Sequence, residues 1–539
     1  MKVTTHPQPK ASAFYSTYID RFEEVEDYFH YSWKPEAWKT RTEELKYPSS
    51  RRARLVETIK ASMDQLELSE MQRQHLLDLE KGAAVTITGQ QTGILTGPIY
   101  SIHKAVTAIV LARQISETTM KKVVPVFWMA GEDHDILEVN HFYVEKNREV
   151  SKLSLSVERL STEMVAEQQI PTSEFRGLLH QAFRDLPETE HTLSLWKMIE
   201  SSLERHGTYK GFFLELFQQF FHKEGLLFVN SSDVAMRELA KEFTKELIRN
   251  NEALRNSVYD KEQQLASSGF GFPIQCRLEN AHLFYVEDNH RYLLEATDTG
   301  FKNEDLKKSW TTEQLLEEVE QNPACISHNV VTRPLVQQYL FPVHTFVGGP
   351  GEIAYWALLK EAFTVMNLKM PIVAPRFSIT ILPLSIEKKM KETGLSLEDV
   401  WAGETPGRLQ AYIDSQKNKQ LSSEVEELYT LLSNHYTKLS KTLQQEGFKL
   451  DPLLEKNHNL HRQQVTFLDH TIEDLYYRRF DAAVASYKAI QNELVPLDSL
   501  QERIYSPLHY LNKYGTEIIN QLLEIPYEMN GKHIVVHTS

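Results

Sequence analysis

The sequence predicts an α/β protein: a parallel sheet covered by helices, interrupted by inserted modules, with an antiparallel helical coiled coil as a second body. Three observations carry this. AAVTITG (83–89) and VVPVFWMAG (123–131) are short apolar runs flanking a glycine loop and a helical pattern, which together make a βαβ unit. Further apolar runs at LLFVNSSD (226–233), FPVHTFVGGPGE (341–352) and MPIVAPRFSITIL (370–382) run into glycine or small polar residues. From about 385 to 500 the texture changes to few glycines, many Glu, Lys and Gln, and apolar residues at alternating spacings of three and four.

In chain order, residues 1–80 read as helical and polar, ending in a helical pattern that stops at Gly82. The strand at 83–89 enters GQQTGILTGP, and IYSIHKAVTAIVLARQIS has helical periodicity at Ile102, Val106, Ile109 and Val110. The strand at 123–131 follows. REVSKLSLSV reads as a polar strand, and HTLSLWKMIESSLERHG and FFLELFQQFFHKEG as helices. The strand at 226–233 leads into a helix capped by Ser231, Ser232 or Asp233. CRLENAHLFYVEDNHRYLLEAT (276–297) alternates and turns near Asn289, a β-hairpin on an inserted module. The run at 341–352 is a strand and a Gly-Gly-Pro-Gly turn before the helix IAYWALLKEAFTVM; 370–382 gives a strand and a loop. Glycine or small polar junctions at strand ends fit a doubly wound core, where ligands gather at the carboxyl ends.

Leu421, Val425, Leu428, Leu432, Tyr436, Leu439 and Leu443 form one apolar seam, and Val465 through Leu494 a second, with Gly447 and Pro452 between them. This is a helical hairpin whose arms of roughly 25 residues reach about 40 Å. Its second apolar face needs a cover. Dimerisation supplies one; folding back over the core is the other reading. The expected division is a core over 1–385 with inserts at about 142–225 and 255–300, a coiled coil over 386–499, and a return to the core over 500–539.

Composition narrows the function. The 539 residues carry 59 Lys and Arg against 74 Asp and Glu, a net charge of −15. Such a chain is a poor general binder of nucleic acid or anionic membranes. No apolar run has the length of a membrane span or signal peptide, so a cytoplasmic location is expected. The two cysteines, Cys276 and Cys325, exclude a disulfide scaffold and a cysteine-rich zinc site.

Four constellations carry candidate chemistry. In the first, residues 89–98, Gly89 and Gly97 open the backbone to a ligand, with Gln90, Gln91 and, a turn into the helix, Lys104 placed to meet carboxylate or phosphate oxygens; a purely structural turn is the competing reading. In the second, GEDHDILEVNH (131–141), Glu132, Asp133 and His134 follow an apolar strand, where unpaired charge is costly. His134 suits acid/base work or orientation of a substrate, and Asp133 is a candidate for the same two roles; a capped helix with a satisfied histidine is the alternative. His134 and His141 stand two helical turns apart, roughly 10 Å, too far to share one ion in a regular helix, so no metal is predicted. In the third, Gly348, Gly349 and Gly351 offer backbone amides, and Glu352 sits in the first helical turn, where the dipole favours it. In the fourth, APRFSIT, Arg376 is placed to hold an anion, with Arg333 a further candidate.

GQQTGILTGP, VPVFWMAGEDHDILEVNH, NVVTRPLVQQYLFPVHTFVGGPGEIAYW and LQERIYSPLHYLNKYG (500–515) resemble the bacillithiol biosynthesis cysteine-adding enzyme family, over essentially the whole chain. The resemblance implies a Rossmann-like core with connecting modules, a coiled coil used in dimerisation, and the joining of cysteine to the amino group of glucosaminyl malate in the last step of bacillithiol synthesis. In layout the core is also similar to nucleotidyltransferases and class I aminoacyl-tRNA synthetases, but no HxGH or KMSKS sequence is present. Amide formation from a free carboxylate requires activation, so ATP or another nucleotide is expected. A non-catalytic protein that binds a nucleotide or sugar and acts through its coiled coil is the alternative.

Overall fold

The structure, a computed structural model, describes residues 2–157 and 161–538; residues 158–160 of the first expected insert lie outside the described residues. The chain forms two compact units: Met1–Lys146, Val150–Ile381 and Ser499–Ser539 make the first, and Asn147–Glu149 with Leu382–Asp498 the second.

The first unit is organised by five parallel strands: β1 (Ala84–Gln90), β2 (Val123–Met129), β3 (Leu227–Asn230), β4 (Val343–Gly348) and β5 (Ile372–Pro375). Their order is β5-β4-β1-β2-β3. The chain therefore starts in the middle, winds outward to β3, then crosses back and winds the other way through β4 and β5. Connections leave β1 and β4 in opposite directions, which makes the gap between their carboxyl ends a topological switch point. All residues of β2, β3, β4 and β5 are buried. Helices cover both faces, which is why these strands read as continuous apolar runs and not as an alternation.

The crossover helix Tyr100–Thr119 packs on β1 and β2 and is buried continuously from Ser101 to Ala112. Phe127 of β2 meets Phe213 and Phe217 of the helix Tyr209–Phe221, at 5.9 and 4.6 Å between ring centres. The expected hairpin is Asn280–Glu287 paired with His290–Thr297. Its turn residues Asp288 and Asn289 both have positive φ (49° and 64°), the left-handed pair that tight hairpins demand. The hairpin belongs to a five-stranded antiparallel sheet that continues through Gly300–Asn303 and Lys308–Thr311, with Ile326–His328 on its other edge, well past residue 300.

Three local expectations are corrected. Residues 378–382 are not a loop: Ser378–Pro383 is a strand of a separate three-stranded sheet with His533–Thr538 and Lys2–His6. The last two pair antiparallel, so the N-terminal stretch is not wholly helical. KVTTH carries too little apolar pattern to reveal a strand whose partner lies over 500 residues away. Asp233 is the N-cap of the helix Val234–Arg249 but makes no capping bond. Its carboxylate accepts instead from Ser62 Oγ (2.6 Å) and Asn230 Nδ2 (2.9 Å).

The second unit is helical. Lys419–Gln445 and Asp451–Arg479 run antiparallel, with Gly447 at φ +84° in the connection. Tyr429 Oη bonds Thr466 Oγ1 and Tyr436 Oη bonds His461 Nδ1, at 2.8 and 2.7 Å, which fixes the opposed directions. The second seam is broken at Phe480, and Asp481–Leu494 is a separate helix. Within the arms only Val425 and Val465 are buried. Leu428, Leu460, Phe467 and Leu475 stay 39, 51, 69 and 57% exposed. Among the described residues no helix is long and apolar enough to cross a membrane.

Candidate active site

A cavity of about 350 Å³ opens at the carboxyl ends of β1, β2, β4 and β5, at the switch point. Each strand delivers residues as it ends: Gly89, Gln90 and Gln91 from β1, Asp133 after β2, Gly349, Gly351 and Glu352 after β4, and Arg376 after β5. Gly89 is required by the sheet itself. A Cβ there would stand 2.5 Å from the carbonyl oxygen of Trp128 on the neighbouring strand.

Lys104 reaches the cavity from the crossover helix but is fully engaged. Its ammonium donates to Gly89 O (2.8 Å) and Gln90 Oε1 (3.1 Å) and pairs with Glu352 Oε2 (2.6 Å). Burial lowers its pKa, against the opposing pull of Glu352. Glu352 also accepts the Gly349 N–H at 2.8 Å, so that amide serves the helix start and not a ligand.

Arg376 is held from behind by Glu502, with Nη1 to Oε2 at 2.7 Å and Nη2 to Oε1 at 2.6 Å. Glu502 also accepts from Ser378 Oγ (2.9 Å) and the Ile379 N–H (3.0 Å), and it meets His103 Nδ1 at 3.1 Å. Burial raises the Glu502 pKa, but Arg376 and His103 outweigh it and hold the carboxyl well below the usual range. Both terminal nitrogens of Arg376 are thus spent on the protein, and the guanidinium forms a fixed positive wall beside Tyr100, 5.5 Å from that ring centre.

The GEDH segment separates into distinct roles. Asp133 lines the cavity, accepting from Gln91 Nε2 (3.0 Å) and Arg291 Nη1 (3.4 Å). Glu132 does not line it. This buried carboxylate faces Arg333 Nε at 2.9 Å, the His328 N–H at 3.3 Å and Arg237 at 4.0 Å. Burial raises its pKa, and Arg333 and Arg291 more than reverse that. His134 also lies outside the lining. Its ring packs edge-on against Phe284, and its Nδ1 sits 3.4 Å from Arg291 Nη1. Burial, then Arg291, lowers its pKa. Gly348 is buried in β4 and Gly97, at φ +71°, closes a turn by donating to Ile94 O, so neither faces the cavity. The loop places its first residues at the ligand space and spends the rest on its own geometry. Among the described residues no group of three His, Cys, Asp or Glu is placed to hold a metal.

Arg503 is a charged lining residue that sequence reasoning passed over. It is exposed and, among the described residues, has no ion-pair partner. The signal was a charged Glu-Arg pair at 502–503 directly before a largely apolar and aromatic stretch, IYSPLHYL. Arg333 also lines the cavity, with its Nε on Glu132. Tyr100, Glu138, Gln337 and Tyr355 complete the polar and aromatic wall.

Comparison with known proteins agrees with this architecture. Residues 1–377 match the family model for the bacillithiol biosynthesis BshC N-terminal Rossmann-like domain, and residues 379–538 match that for the BshC C-terminal coiled-coil domain. A relative from Lysinibacillus sphaericus, named "Putative cysteine ligase BshC", is 37% identical over 513 residues, covering 95% of each chain. Relatives of the same name from Bacillus licheniformis and Bacillus velezensis are 32 and 31% identical, covering 99% of this chain and all of theirs. The chain belongs to the BshC family of bacillithiol biosynthesis, with that family's Rossmann-like core and coiled-coil domain.

Proposed function

We propose that this protein is a ligase that adds cysteine to the amino group of glucosaminyl malate, and that the cavity at the switch point is where the amide forms. The observation that carries this reading is the cavity itself: Asp133 and Arg503, whose guanidinium has no ion-pair partner among the described residues, both line it at the carboxyl ends of a Rossmann-like sheet in a BshC-family chain. The malyl carboxylates need positive groups, and in an acidic protein only local ones serve. Arg503 and Arg333 supply them, and Arg376, clamped by Glu502, adds a fixed field. The amine must be neutral to attack, and its nitrogen becomes strongly acidic as the new bond forms. Asp133 is placed to take that proton. His134 contributes through Arg291, which it shares with Asp133.

A free carboxylate does not acylate an amine in water, so the cysteine carboxyl has to be activated, and a nucleotide co-substrate is proposed for that role. The hairpin of the second unit is proposed to form a homodimer, since its exposed leucines need a cover.

The test is incubation of the purified protein with cysteine, glucosaminyl malate and ATP, with mass spectrometry of the products. Cysteinylated product with AMP or ADP is expected, and the nucleotide formed identifies the activation. Arg503→Ala should raise KM for glucosaminyl malate by about ten-fold or more, the loss of one charged contact. Absence of product with every nucleotide tried would favour a non-catalytic nucleotide- or sugar-binding protein.

A further inference from the structure

The first unit carries a second polar cavity, of about 390 Å³, lined by Arg41, Lys46, Tyr47, Arg51, Tyr339 and Lys369 among others. Its place in the fold sets it apart from the active site. Tyr339 and Lys369 lie just before β4 and β5, at the amino ends of the strands whose carboxyl ends build the switch-point cavity. A six-residue strand separates the two by about 20 Å.

The charge around it is one-sided. Lys369 is paired with Glu44 at 2.7 Å. Arg41, Lys46 and Arg51 have no carboxylate within ion-pair distance among the described residues. Four cations, Arg41, Lys46, Arg51 and Lys369, against the single carboxylate of Glu44 in one cavity lining are unusual in a chain of net charge −15. Arg41 is the sharpest case, because it is 1% exposed. Its Nη2 donates to Gln338 Oε1 (3.0 Å) and to Val343 O (2.5 Å), it meets the Tyr31 side chain and, at longer range, the charge of Glu44, and its Nε is buried with no hydrogen-bond partner. Burying a guanidinium with no carboxylate in direct contact is costly in general. The protein keeps this one at the inner end of a cavity whose rim is also basic. The rings leave little room for stacking: Arg51 covers one face of Tyr339 at 3.9 Å, and Phe243 stacks on that ring at 4.4 Å.

We propose that this cavity is a binding site for a small anion bearing a phosphate or carboxylate group, held by Arg41, Arg51 and Lys46 and separate from the proposed ligation site. The anion supplies the direct counter-charge that Arg41 lacks, and Tyr47 and Tyr339 form the walls. The proposal stands independently of the ligase reading.

The test is thermal unfolding of the full chain against inorganic phosphate and, separately, succinate, at ionic strength held constant with sodium chloride. The wild type should be stabilised in a saturable way, and the stronger of the two responses names the anionic group. In Arg51→Glu and Lys46→Glu the apparent affinity should fall about ten-fold or more, as expected for loss of a charged contact. Both positions lie at the rim, so these variants remain informative if Arg41→Met fails to fold. Arg503→Ala should bind the anion as the wild type does. The proposal is overturned if neither anion stabilises the wild type, if both rim variants keep full affinity, or if the response is lost in Arg503→Ala and kept in Arg51→Glu.

Discussion

Replacing Glu502 with Gln tests the energetic centre of the wall behind the switch-point cavity. The carboxylate is 1% exposed and gathers five groups: both terminal nitrogens of Arg376, Ser378 Oγ, the Ile379 N–H and His103 Nδ1. Gln keeps the shape and much of the hydrogen bonding but removes the charge, leaving the buried Arg376 guanidinium uncompensated. Breaking a buried pair on one side costs about 3–5 kcal/mol. At roughly 2 °C per kcal/mol for a large domain, Tm should fall by about 6–10 °C. The double variant Arg376→Met/Glu502→Gln removes the orphaned charge, so it should be more stable than Glu502→Gln alone. Equilibrium urea unfolding of wild type, both single variants and the double variant measures the coupling. A loss below about 1 kcal/mol for Glu502→Gln, or additive losses in the cycle, would refute the argument that this pair is electrostatically strong. The pH dependence gives an independent check. The folded pKa of Glu502 is depressed, so its contribution is present above the ordinary carboxylate range and is lost as pH falls below it.

Gly89→Ala should destabilise by about 2 kcal/mol or more, because its Cβ would meet a backbone oxygen at 2.5 Å; Gly177→Ala, in the helix Thr172–Asp185 with open space around the new methyl group, should be neutral or stabilising in the same urea titration. Burial pushes His282, His328, His344 and His533 down to about 4 each. The unfolded chain then binds more protons between about pH 6.5 and 4, so stability should fall with pH across that window, by about 1.4 kcal/mol per pH unit for each histidine that stays neutral. His344→Asn should reduce the slope of ΔG against pH by about one proton. Replacing residues 386–498 with a short linker should give monomers in sedimentation; a dimer after that deletion would overturn the proposal that the coiled coil is a dimer interface.

The parallel core was legible because burial on both faces leaves an unmistakable sequence signature: β1 to β5 each coincide with an apolar run read directly from the chain. The coiled-coil hairpin was legible for the same kind of reason, a sustained local period. Lys2–His6 and Ser378–Pro383 were not, since each is fixed by a partner strand distant in sequence. Within the site, the sequence placed residues near strand ends but not the directions of their side chains. Glu132 and Asp133 are neighbours of the same charge, yet one is buried among arginines and the other faces the cavity.

The sequence by itself therefore determined the fold class, the two bodies and the strand ends where ligands gather, because periodicity and burial are local properties. Only the tertiary structure decided that Arg376 is clamped by Glu502, that Lys104 is spent on Gly89, Gln90 and Glu352, and that Arg503 lines the cavity with no ion-pair partner among the described residues. The physical reason is that a charge does its work through its nearest partner. For Arg376 that partner stands 126 residues away in the chain and 2.6 Å away in space.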